Sequence, residues 1–186
     1  IPDPQNPRFS YAGGKLIGEI LTLNYLRNTK IKHNIFRPHN LFGPNMGFEH
    51  VIPEVLFKVY KSSNKWKKKE CSIKIQGSGR ETRSFCYIED AINQIEAIQK
   101  KGKNREIYHV GQSKEITISN LIKKIEKIMN TKIKIIRGNL REGSALRRSP
   151  NINKIKNLGY GTKNNFNYGL VKTIRWYKKF YLNNEF

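Results

Sequence analysis

The feature that most constrains this chain is alternation. Short runs rich in Ile, Val and aromatic residues take turns with longer stretches whose apolar residues recur every three or four positions, and Gly, Pro and Asn mark the joins. A period near two reads as strand and a period near 3.6 as helix. On this basis helices are predicted over residues 10–28, from about 52, over 90–100, 117–130, 151–157 and 169–182. Strands are predicted over 34–37, 72–76, 83–88, 106–110 and 132–137. The Pro-rich residues 1–8 read as extended chain, Pro38 as the stop of its strand, and residues 38–47 as a loop. Thr117 is placed to cap one helix and Asn130 to end it. Strands alternating with helices define an α/β fold.

A chain of 186 residues can build a real core. It contains no apolar run long enough to span a membrane. Its first seven residues lack the basic flank and apolar stretch of a signal peptide, and there is no initiator Met, so a fragment is expected. Cys71 and Cys86 stand in apolar contexts and read as buried thiols of a reducing cytoplasm rather than a disulfide framework. The net charge of +22, from 36 Lys and Arg against 14 Asp and Glu, raises a nucleic-acid reading. The lysines are scattered, however, and the one dense run, Lys65-Trp66-Lys67-Lys68-Lys69, reads as a loop with neither zinc-finger spacing nor an RNA-binding aromatic signature. A solvated surface is preferred. His33, His50 and His109 show no metal spacing, so no metal is expected.

Tyr11 and Lys15 are four residues apart, hence on one face of the first predicted helix. A free phenol, with a pKa of roughly 10, is a poor base at neutral pH. A nearby ammonium favours the phenolate. Such a pair can take a proton from a substrate hydroxyl and return it. The spacing alone also fits a Tyr packed on a Lys stem.

Four segments narrow the choice: Tyr11-Ala12-Gly13-Gly14-Lys15; Arg37-Pro38-His39-Asn40-Leu41-Phe42-Gly43-Pro44; Gly77 through Asp90, reading G-x-G-x-x-T-R-x-F-x-Y-I-x-D; and Arg147-Arg148-Ser149-Pro150-Asn151-Ile152 followed by Leu158-Gly159-Tyr160. In this order the chain resembles the extended short-chain dehydrogenase/reductase family, the NAD-dependent epimerases, dehydratases and decarboxylases of nucleotide sugars. The resemblance covers nearly the whole chain. It implies the C-terminal portion of a Rossmann-like, doubly wound parallel sheet with a smaller substrate-binding α/β domain. Residues 1–40 and 86–111 would belong to the NAD-binding domain, and 41–85 and 112–186 to the substrate-binding domain. The family's glycine-rich first turn is absent from this sequence, as is the catalytic Ser or Thr that should precede Tyr11. An N-terminal half is therefore expected to be missing.

The resemblance further implies roles. Tyr11 and Lys15 would be catalytic, and with Pro38 would contact NAD. Asn40, Ile52, Gln76, Arg83 and Arg148 would bind a nucleotide-diphosphate sugar, the arginines meeting phosphate. A homodimer through the Tyr11 helix is implied. The activity expected is that of an epimerase like UDP-glucose 4-epimerase, working through a transient 4-keto sugar. A dehydratase or UDP-glucuronate decarboxylase, a non-catalytic remnant, and a basic nucleic-acid binder are the alternatives.

Overall fold

Helix α1, Pro7–Tyr25, starts earlier than the sequence suggests in this computed structural model, which describes residues 5, 7–140, 144–160 and 166–184. Proline is compatible with a first helical turn because its missing N–H would be unbonded there anyway. Beyond a turn, β1 (Ile35–Pro38) runs parallel to β6 (Ile107–Val110), with Ile35 opposite Ile107 and Pro38 opposite Val110. Pro38 thus ends the strand from within it, and the His39 N–H extends the pairing by donating to the Val110 carbonyl at 2.9 Å.

The expected 38–47 loop contains a short strand, β2 (Leu41–Phe42). Helix α2 (Val51–Ser62) and strand β3 (Glu70–Lys74) follow. The single strand expected over 83–88 is two, β4 (Thr82–Ser84) and β5 (Cys86–Tyr87), because the chain changes partners at Phe85. β5 pairs in parallel with β2. β4 lies antiparallel to β7 (Glu115–Thr117) and parallel to β9 (Arg147–Arg148). The helices α3 (Ile88–Lys101), α4 (Ile118–Met129), α5 (Asn153–Asn157) and α6 (Phe166–Asn183) complete the order, with β8 (Lys132–Ile136) parallel to β3. Thr117 caps α4, its hydroxyl accepting from the Asn120 N–H at 3.1 Å, and Asn130 ends it in the left-handed region at φ 50°.

Two apolar clusters form. The larger joins α2, β3, α4 and α6 around Leu56, Val59, Tyr60, Ile73, Leu121, Ile125, Leu170 and Tyr177. Tyr60 stacks on Tyr181 with centroids 5.2 Å apart, and Trp66 packs beside them. The basic run 65–69 is therefore a turn folded over its own tryptophan. The smaller cluster gathers Cys86, Ala91, Ile98, Tyr108, Val110 and Ile155. The α5 segment, expected with residues 112–186, packs here against α3 and β6. Between the clusters stand β2 and β5. Leu41 and Cys86 face the smaller one; Phe42 and Tyr87 face the larger. That split follows from the alternation of side chains along a strand.

Both cysteines are free and buried. Burial pushes the Cys86 thiol up to about 12, which keeps it protonated and inert.

Candidate active site

The Tyr11–Lys15 pair forms as its spacing requires. The Lys15 ammonium lies 5.4 Å from the centre of the Tyr11 ring, over the ring face. Tyr11 is 75% exposed, so its phenol is open to a ligand. The same helix leaves Leu16, Ile17, Ile20 and Leu21 exposed. Its link to β1 is the Glu19 carboxylate, which accepts from Arg37 Nε at 2.8 Å and Nη2 at 2.5 Å. That two-pronged bond holds Glu19 below the usual carboxylate range.

Pro38 stands at the C-terminal end of the β1–β6 pair, where ligands of open α/β sheets bind. Next to it His39 Nε2 lies 2.7 Å from His109 Nδ1. The contact needs one ring nitrogen to donate and the other to accept, so two charged rings cannot share it. Burial lowers both imidazoles; His109 and Arg37 add to this at His39, and Arg37 and Lys154 at His109. Sequence reasoning weighed His109 only as a metal ligand and read His39 within the Arg37–Pro44 motif, and it missed the pair. The register could have revealed it, since Arg37 lies opposite His109 and His39 stands two residues on, past Pro38. Among the described residues no third ligand-type side chain joins them as a metal group.

A cleft of about 360 Å³ brings together three of the five predicted substrate residues, Gln76, Arg83 and Arg148. Arg83 donates to three backbone carbonyls, at Thr82 (2.7 Å), Ala145 (2.8 Å) and Leu146 (3.3 Å). Burial, then the neighbouring Arg148, lowers its guanidinium below the ordinary arginine value. It stays charged at neutral pH. Arg148 is exposed.

The other two fall elsewhere. Ile52 is 0% exposed, in the larger core. It follows the first residue of α2 and shares the buried face of Leu56 and Val59; Val51 and Val55 line the cleft instead. Asn40, in the left-handed region at φ 43°, donates its amide to the Ser84 carbonyl at 3.1 Å. Its own carbonyl accepts from the Cys86 N–H. It therefore braces the point where β4 passes into β5.

Glu81 is a cleft residue that sequence reasoning did not single out. Its carboxylate accepts from the Ser78 N–H (2.9 Å), the Ser78 hydroxyl (3.0 Å) and the Gly79 N–H (2.8 Å). Burial works against the charge, but these bonds outweigh it and hold the carboxyl low. The turn they brace needs glycine: Gly77 has φ 80°, and a Cβ there would meet Glu81 Oε1 at 2.5 Å. Its place within G-x-G-x-x-T-R was the available signal.

Residues 2–111 match the model of the NAD dependent epimerase/dehydratase family. The chain belongs to that family. Among curated relatives of the epimerase/dehydratase family, human dTDP-D-glucose 4,6-dehydratase is 30% identical over 185 residues, which cover 95% of this chain and 50% of that protein. Among solved structures, UDP-glucuronic acid 4-epimerase from Bacillus cereus, in complex with UDP-glucuronic acid and NAD, superposes with a TM-score of 0.80 at 24% identity, covering 97% of this chain and 55% of that one. The dTDP-glucose 4,6-dehydratase DesIV from Streptomyces venezuelae, with NAD and TYD bound, gives 0.75 at 25% identity, covering 91% and 51%. The chain thus spans about half the length of the family members it matches. The fold class is that of the Rossmann-fold epimerases and dehydratases.

Proposed function

We propose that the chain supplies the proton-transfer pair and the substrate arginines of an NAD-dependent nucleotide-sugar epimerase of the UDP-glucose 4-epimerase kind. The carrying observation is the exposed Tyr11 phenol with Lys15 over its ring. The accessible pair and the position of Pro38 fit the nicotinamide end of NAD. When bound, NAD supplies a hydride acceptor. Tyr11 would take the proton of the sugar O4 as the C4–H is oxidised, and later return it, through a 4-keto sugar. Lys15 would hold the cofactor ribose and place positive charge beside the phenol. Arg83 and Arg148 would hold the diphosphate, with Gln76 at the nucleotide.

The division of labour follows the clusters. The smaller cluster with α1 and β1 would form the cofactor side, and the larger would form the substrate side. The exposed stripe on α1 supports a homodimer through that helix, which sedimentation analysis would test. No described helix is long and apolar enough to cross a membrane. The buried, unpaired thiols fit a reducing cytoplasm.

A dehydratase is the second reading, favoured by the 30% identity to a human dehydratase. Chromatography that separates the sugar epimers, coupled to mass spectrometry of the product from UDP-glucose or dTDP-glucose with NAD, decides. An isomer of unchanged mass supports epimerisation and loss of one water supports dehydration. No turnover with either sugar overturns both.

A further inference from the structure

A second cleft, of about 930 Å³, shares no lining residue with the first. Lys123, Lys124 and Lys127 enter it from one face of α4, and Lys114 from the loop ahead of β7. The three helical lysines span little more than one turn, about 6 Å of axis. Like charges at this spacing repel. Among the described residues none of the four lysines has an ion-pair partner, though Lys124 Nζ donates to Asn167 Oδ1 at 3.0 Å.

The carboxylates of the cleft are committed elsewhere. Glu115 accepts from the Thr82 hydroxyl at 2.7 Å and from Arg147 Nη2 at 2.6 Å. Asp90 is 1% exposed and accepts from the Tyr160 hydroxyl at 3.4 Å. Positive charge left uncompensated in a concave wall concentrates the local field.

We propose that this cleft binds a polyphosphate group, either free or carried on a nucleoside. Compact ammonium groups with three donors each suit a dense cluster of phosphate charges. A nucleic-acid strand would instead need a basic groove continuing over several nucleotides and open aromatic faces for stacking. Here the lysines converge on one cavity, and of its three rings Phe85 and Tyr87 are only 8% and 4% exposed, which leaves the half-buried Phe166 as a single partial face rather than a series of stacking platforms.

Calorimetry at 0.15 M salt, a screening strength near physiological, tests the assignment with inorganic tripolyphosphate, ATP and a single-stranded oligonucleotide. Two double variants are compared at equal net charge: Lys123→Gln/Lys127→Gln in the cleft, and Lys67→Gln/Lys68→Gln in the exposed turn. The expected result is saturable tripolyphosphate binding that the cleft variant weakens at least fivefold and the turn variant leaves within twofold. Tripolyphosphate and ATP binding alike identifies the phosphates as the ligand; tighter ATP binding, equally lost in the cleft variant, identifies a nucleotide. No tripolyphosphate or ATP binding, equal weakening in both variants, or binding of the oligonucleotide alone overturns the proposal.

Discussion

Leu21 and Leu121 are the same residue on amphipathic helices of one chain, yet Leu21 on α1 is 62% exposed and Leu121 on α4 is 0% exposed. Both lie on stripes that the sequence marks as apolar. On α4 the stripe closes over β8 and α6. On α1 Leu16, Ile17, Ile20 and Leu21 remain at 50–62% exposure, and Phe36 of β1 is at 45%. A fully buried side chain of this size contributes roughly 1.5–3 kcal/mol over an exposed one. That stabilisation is present in one region and withheld in the other. Periodicity shows that a face is apolar; it does not show what covers it. The two regions would also divide the proposed chemistry, since the open helix carries Tyr11 and Lys15.

The contrast can be broken most directly at Tyr11. Tyr11→Phe should lower turnover by about 10²–10⁴ if the phenol moves the proton, with nucleotide-sugar affinity nearly unchanged. Steady-state kinetics showing wild-type turnover would remove the catalytic role and leave α1 merely an uncovered helix.

Stability should separate the regions next. Leu121→Ala is expected to cost about 2–5 kcal/mol in a denaturant melt, and Leu21→Ala to stay within about 0.5 kcal/mol. A large loss at Leu21 would mean that α1 is covered in solution, as in the proposed dimer.

The His39–His109 contact sits between these extremes. Both rings titrate below the ordinary 6.5 when folded, so the unfolded chain binds protons first as pH falls. Their contribution is present above pH 6.5 and is lost as pH drops through the lowered folded values. Melting temperatures from pH 8 to 5 should fall, and His39→Asn should flatten the curve. An unchanged slope would show the pair to be irrelevant to stability.

The smallest effect is expected at Arg37→Gln. It removes a part-exposed ion pair, worth within about 1 kcal/mol, but the α1 amides should exchange faster while those of α4 do not. Unchanged α1 exchange would show that Glu19 and Arg37 do not tether the helix.

What the sequence made legible is what local rules decide. Thr117 caps and Asn130 ends α4, and the tyrosine and lysine meet because four residues make a turn. Strands of two or three residues, such as β2, β7 and β9, are too short for any periodicity to register. Pro38 reads as a stop, yet as the last residue of a strand it leaves the pairing intact. Ile52 lies in the larger core and not in the cleft, because a motif position gives the backbone location and not the helical face. The histidine contact and the Arg83 bonds to residues 145 and 146 join segments far apart in sequence, and only the folded register creates them.

The partition formed by Leu41, Phe42, Cys86 and Tyr87 is two residues deep, and each strand sends one side chain into each cluster. It therefore acts as a fulcrum. Tilting the ribbon lifts Leu41 and Cys86 out of one core while driving Phe42 and Tyr87 further into the other. The second movement has little room: a single Cβ added at Gly169 would already meet the Tyr87 ring at 2.5 Å. Movement of the ribbon toward the larger cluster is thus limited by the close approach of the Tyr87 ring to the α6 backbone at Gly169.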